Sequence, residues 1–170
     1  ISGNNDFGIM LQQSSSLDNV VAGNKIGTDI TGLYAIPNGI INSPRAGILL
    51  GGYGNRIGTN SDGVSDDLER NLISGNANVA VYAIYFNNLP NAGAPATIIA
   101  GNWMGLDATG LAALPNNYGI GGTSNVPTVI RDNVIAASTY EGISTNSSGM
   151  LITGNRIGLG ADGTTPLGNG

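Results

Sequence analysis

The chain has 170 residues, a formal net charge of −5 and a sequence pI near 4.2, with 28 glycines and only 10% charged residues. Charged residues make up about a quarter of an ordinary soluble domain, so hydration of this surface must come from Asn, Ser, Thr and backbone groups. Nucleic acid is excluded because phosphate contact needs a basic face, and membrane insertion because no apolar run approaches the ~20 residues of a spanning helix. The absence of Cys and His removes disulfides, thiolate sites and the usual base near neutral pH.

The chain opens in mid-pattern on Ile1-Ser2-Gly3-Asn4, which reads as a segment of a longer repeat protein, and residues 1–170 form a single module. The runs GIML (8–11) and NVVAG (19–23) are short, apolar and bounded by Gly or Asn, as strands are. The phrase GNKIGTDITG follows at 23–32. A further run, GILL (47–50), precedes a second copy of the phrase, GNRIGTNSDG (54–63). The densest charge cluster, SDDLER (65–70), leads into a second phrase, RNLISGN (70–76), of which ISGN at 1–4 is the tail. VAVYAIYF (79–86) is apolar on both alternating faces. Then come TIIAG (97–101), GNWMGLDATG (101–110), TVIRDNVI (128–135), GMLIT (149–153) and GNRIGLGADG (154–163).

Taking the aliphatic residue of each phrase as an anchor gives Ile1, Ile26, Ile57, Ile73, Met104, Ile135 and Ile157, with gaps of 25, 31, 16, 31, 31 and 22. A period in this range, made of short strands without intervening helices, indicates a solenoid. The expected fold is all-β: a single-stranded parallel β-helix (solenoid) of roughly six to seven coils. Same-position residues of successive coils stack ~4.8 Å apart. Ile26, Ile57, Met104 and Ile157 are therefore expected to form an inward aliphatic ladder. Asn24, Asn55, Asn102 and Asn155 are expected to form a second ladder at a corner, because Asn tolerates left-handed backbone and its amide can bond the copy one coil away.

The phrases GNKIGTDITGLYAIPN (23–38), GNWMGLDATGLAALPN (101–116), GNRIGLGADGTTPLGN (154–169) and RNLISGN (70–76) resemble the right-handed parallel β-helix repeats of large bacterial and archaeal extracellular proteins in the pectin-lyase-like superfamily. The resemblance implies a right-handed path for the solenoid and an extracellular or cell-surface location. It says little about activity, since that fold carries lyases, hydrolases, epimerases, adhesins and inert spacers. Leu106 and Leu159 stand where Thr28 and Thr59 stand in other copies, and Gly160 replaces Asp29.

Four chemistries are open to these residues. The adjacent Asp66 and Asp67 would point to opposite sides of an extended chain and could not flank one glycosidic bond. Asp29, Asp62, Asp107 and Asp162 sit at turns and make calcium a candidate, though each turn offers only one or two carboxylates. The variable slot of GN-x-I, held by Lys25, Arg56, Trp103 and Arg156, should point outward, and with Tyr82 and Phe86 it forms the candidate contact surface for a ligand or partner. Open coil ends could pair head to tail with a second copy. The leading expectation is a non-catalytic stalk, adhesin segment or filament subunit with no resident cofactor. The second is a carbohydrate-active β-helix, acting as a lyase, hydrolase or epimerase or binding a surface polysaccharide.

Overall fold

Glycine-rich corners cut the chain into strands of two to five residues, each too short to be stable alone. The computed structural model describes residues 1–12, 15–39, 45–83, 94–124 and 126–170. Coil 1 is formed by β1 (Ile9–Leu11), β2 (Val20–Val21) and β3 (Lys25–Ile26). Coil 2 is formed by β4 (Ala46–Leu50), β5 (Arg56–Gly58) and β6 (Leu72–Ile73), with one helical turn, α1 (Asp66–Glu69), before β6. Coil 3 has β7 (Val79–Ala83), β8 (Thr97–Ala100) and β9 (Trp103–Met104), and coil 4 has β10 (Tyr118–Gly122), β11 (Thr128–Arg131) and β12 (Val134–Ile135). Coil 5 closes the stack with β13 (Ile143–Thr145), β14 (Met150–Thr153) and β15 (Arg156–Ile157).

All pairings between these strands are parallel and run from one coil to the next, giving three five-stranded sheets. The molecule is a parallel β-helix of five coils, not six or seven. The difference lies in two of the seven sequence anchors. Ile1 precedes the first complete coil, where its carbonyl accepts from Gly27 N–H at 2.9 Å. Ile57 belongs to the second sheet of coil 2, beside Ile73 in the third sheet of the same coil.

The core is three inward ladders. In the third sheet Ile26, Ile73, Met104, Ile135 and Ile157 are in register. The first four are fully buried and Ile157, on the last coil, is half exposed. Ile57 instead stacks between Val21 and Ile99 in the second sheet. The first sheet contributes Ile48, Val81 and Ile120. Burying each such side chain stabilises by roughly 1.5–3 kcal/mol as an upper figure.

The corners are polar ladders. Between the second and third sheets, Asn24, Asn71, Asn102 and Asn133 each donate Nδ2 to the Oδ1 of the next coil's Asn, ending at Asn155, at 2.9–3.1 Å. The same Oδ1 atoms also accept the backbone N–H of the Asn below. Asn55 is not in this ladder. It sits at the corner between the first and second sheets, where Asn19 donates to it at 2.9 Å. A further amide ladder, Asn4–Asn38–Asn76–Asn116, occupies the corner from the third sheet into the first. Bonding each amide to its neighbour satisfies the buried asparagine side chains at the corners.

Two strands carried no sequence signal. β10 reads YGIGG and β13 reads IST, and glycine is depleted in strands. The reason is steric at Gly119: a Cβ there would run into the Gly142 carbonyl and the Ile135 side chain. Here the first sheet passes directly over the third-sheet ladder.

Candidate functional site

After β3, β9 and β15 the chain makes the same excursion, at 27–38, 105–116 and 158–169, whereas coils 2 and 4 turn straight into the next corner. Each excursion is closed by one antiparallel bridge, Thr28–Ala35, Leu106–Ala113 or Leu159–Pro166. The three loops arise two coils apart yet touch. Ala108 N–H donates to Gly32 O at 2.9 Å and Ala161 N–H to Gly110 O at 2.8 Å. A Cβ on Gly110 would lie 2.6 Å from Ala161 Cβ and 2.9 Å from the Trp103 ring, so only glycine permits this stacking. The loops thus build a second column beside the coils, with a two-coil period.

One carboxylate organises each loop. Asp29 Oδ1 accepts the backbone N–H groups of Gly32, Leu33 and Tyr34, and the Thr31 hydroxyl donates to both of its oxygens. The Thr31 hydroxyl first, then those backbone donors, hold the Asp29 carboxyl down at about 2 against an opposing desolvation effect. Asp107 does the same work with Thr109 in the second loop. In the third loop Gly160 replaces this Asp, and the carboxylate comes from Asp162, in the slot of Thr31, accepting from Thr164 and Thr165 N–H at 2.9 Å each. Those donors, helped by the two threonine hydroxyls, lower the Asp162 pKa strongly. The apparent drift of the repeat is an exchange of side chains around one conserved turn geometry.

The four carboxylates considered for calcium are distributed over separate turns. Asp62 belongs to a different turn, where it receives Asn60 Nδ2 and Val64 N–H. Among the described residues no three acidic side chains gather within reach of one ion, and calcium collects roughly six to eight oxygens.

The outer face of the third sheet aligns Lys25, Leu72, Trp103, Val134 and Arg156. Each member of the variable slot on this sheet contacts the loop that follows its strand, Lys25 and Arg156 while remaining exposed and Trp103 while half-buried. Lys25 Nζ donates to the carbonyls of Ile30 and Thr31 at 2.7 and 3.2 Å, and Arg156 Nη1 to Ala161 O at 2.7 Å. Trp103 is half-buried between the Gly110 turn and Arg70, whose guanidinium lies 4.4 Å from the ring centroid. It also packs on a small cluster of Leu106, Val134 and Ala136. Arg56 is on the second sheet, paired with Glu69 at 2.9 Å. The structure therefore brings Lys25, Trp103 and Arg156 into one row and places Arg56 apart from them.

The acidic insert is held in the same internal fashion. The Thr59 hydroxyl donates to Asp66, whose pKa is lowered by that bond first, then by Gly63 and Ser61 N–H and by Arg131. Asp67 pairs with Arg70. These two acids face different partners and do not flank a common space.

A different environment lies on the outer face of the first sheet. A cavity of about 340 Å³ is lined by Asn78, Tyr82, Tyr118, Thr123, Ser144 and Asn146, over a floor of Gly121 and Gly122. Tyr118 stacks on Tyr140, with ring centroids 5.1 Å apart and planes tilted by 32°. Of the aromatic residues expected on the contact surface besides Trp103, Tyr82 lines this cavity, while Phe86 lies outside the described residues. Tyr118 and Tyr140 were not legible as site residues, since their segments show no strand alternation. Their only sequence signal is an aromatic residue one or two positions before a glycine in a chain with 5% aromatic content.

Comparison with protein-family models, with curated proteins and with solved structures gives no match to this chain. The fold defines its class as a parallel β-helix solenoid. No helix of the described residues is long and apolar enough to cross a membrane.

Proposed function

We propose that the chain is a non-catalytic structural and interaction module of a secreted or cell-surface protein, serving as a stalk, adhesin segment or filament subunit. The observation that carries this reading is the loop column. By bonding coil 1 to coil 3 and coil 3 to coil 5, it braces the solenoid against bending and against loss of single coils. Solenoid repeats ordinarily touch only their neighbours, so such a brace is useful chiefly to an element that transmits force or keeps a fixed length. The test is to pull the chain between its ends by force spectroscopy. Unfolding of the five coils in one cooperative event supports the stalk reading, and coil-by-coil peeling at low force overturns it. Elongation with concentration in light scattering would assign the filament role.

A second reading, recognition of a surface polysaccharide, is favoured by the tyrosine-lined cavity on the first sheet.

A further inference from the structure

We propose that this cavity binds a neutral saccharide. The inference extends the second reading and does not depend on the stalk role.

The argument starts from which polar side chains are already engaged. At the corners the asparagine amides bond the next coil, and in the loops the carboxylates and threonines bond their own turns. Around the cavity the pattern reverses. The side chains of Thr123, Ser144 and Asn146 make no hydrogen bond among the described residues, although all three border one space. Together they present two hydroxyls and one amide, which both donate and accept.

The rest of the lining narrows the ligand. Tyr82 and Tyr118 supply aromatic surface with a polar tip, the type of group that packs against a flat apolar face while bonding at its edge. Among the described residues no Asp, Glu, Lys or Arg lines the cavity. A uronate, phosphate or sulfate would find no cation there, and a hydrocarbon would strand the hydroxyls and the amide without partners. A sugar ring satisfies both constraints, because its C–H face is apolar and its rim carries hydroxyls. The volume is at the small end of ligand sites and suits one or two such rings. Gly121 and Gly122 keep the floor low between the tyrosines and Ser144.

The test is native affinity electrophoresis of the full chain in gels containing glucan, mannan, galactan or polygalacturonate, followed by calorimetry with hexasaccharides of any polymer that retards it. The expected result is retardation by at least one neutral polymer and not by polygalacturonate, with binding of the matching hexasaccharide. Asn146→Ala and Thr123→Ala, which remove no hydrogen bond from the folded chain, should each weaken binding while leaving the melting temperature unchanged. Tyr118→Ala should weaken binding at least about tenfold, and Trp103→Ala should leave it intact. The proposal is overturned if no neutral polymer retards the chain. It is overturned equally if only polygalacturonate does, if polymer binds but hexasaccharide does not, or if Asn146→Ala and Tyr118→Ala bind as the parent does.

Discussion

Ala108 donates its backbone N–H to the carbonyl of Gly32 at 2.9 Å, although the two residues belong to coils separated by a complete intervening turn. This bond and its repeat from Ala161 to Gly110 mean that the structural unit of the protein is two coils, one with a loop and one without. The loops fold back over the third sheet and bury Leu106, Val134 and Ala136 as a small second core. Lys25 and Arg156 tie their loops through hydrogen bonds to loop carbonyls, and Trp103 packs against the Gly110 turn.

Placing a side chain at the stacking point should therefore cost more than backbone strain alone. Gly110 and Gly63 both have positive φ, of 74° and 81°. A Cβ at Gly63 meets nothing within 4 Å, whereas at Gly110 it strikes Ala161 and Trp103. Gly63→Ala is expected to lose about 1–2 kcal/mol from the left-handed backbone. Gly110→Ala should lose about 3–4 kcal/mol once the overpacking is added. Urea denaturation of the two variants measures the difference, and equal losses would remove the loop column as a stabilising element.

The corner amides should be strongly position-dependent. Asn102 is fully buried and donates to Ile57 O, Ala100 O and Asn133 Oδ1 while accepting from Asn71. Asn102→Ala orphans several of these groups and should destabilise by about 4 kcal/mol, since each unsatisfied buried group costs about 1–3 kcal/mol. Asn155, at the last rung, is half-buried, and Asn155→Ala should cost about 1–2 kcal/mol. Chemical denaturation gives both values.

The aliphatic ladder should show the same gradient. Ile135 is fully buried between Met104 and Ile157, while Ile157 is 47% exposed. Ile135→Ala is expected to lose about 3–4 kcal/mol through lost burial and a cavity. Ile157→Ala should lose about 1 kcal/mol or less, because half of its surface already faces solvent. Matching losses would show that the last coil is covered in solution.

Acid should loosen the first loop in a defined window. In the folded chain the hydrogen bonds from Thr31 and the loop N–H groups hold the Asp29 carboxyl at about 2, below its ordinary value of 3.8. Between these pH values the unfolded chain binds the proton more readily than the folded one, so stability falls as pH drops. The contribution of Asp29 is complete above pH 3.8 and lost as the pH passes down through about 2. Asp29→Asn should lower stability at neutral pH and flatten the acid limb of the melting temperature between pH 4 and 2. An unchanged acid limb would mean that the loop's hydrogen bonds to Asp29 do not form in solution.

Much of the architecture was legible because it rests on local chemistry. Gly-Asn pairs mark corners: Gly23, Gly101 and Gly154 all have φ near 65–70° and each precedes an Asn of the long amide ladder. Short apolar runs located seven of the strand segments. Register between coils was less legible. GNKIG and GNRIG at 23–27 and 54–58 look like copies of one rung, but the first turns from the second sheet into the third and the second from the first sheet into the second. Both corners need a left-handed residue followed by an amide, so the same words serve both. The rung after Asn24 is Asn71, from the other phrase.

The sequence by itself thus determined that this is a parallel β-helix with aliphatic rungs and amide corners, because turn chemistry and strand composition act within a few residues. Only the tertiary structure decided which rungs stack, that alternate coils carry loops bonded to one another, and that Lys25, Trp103 and Arg156 share one row and contact those loops. It also gathered Tyr82, Tyr118 and Ser144 from three successive coils around one cavity. Contacts between coils join residues as near as Asp132 and Thr153 and as far apart as Gly32 and Ala108 in the sequence, and no local pattern encodes a distance that changes with every loop inserted between them.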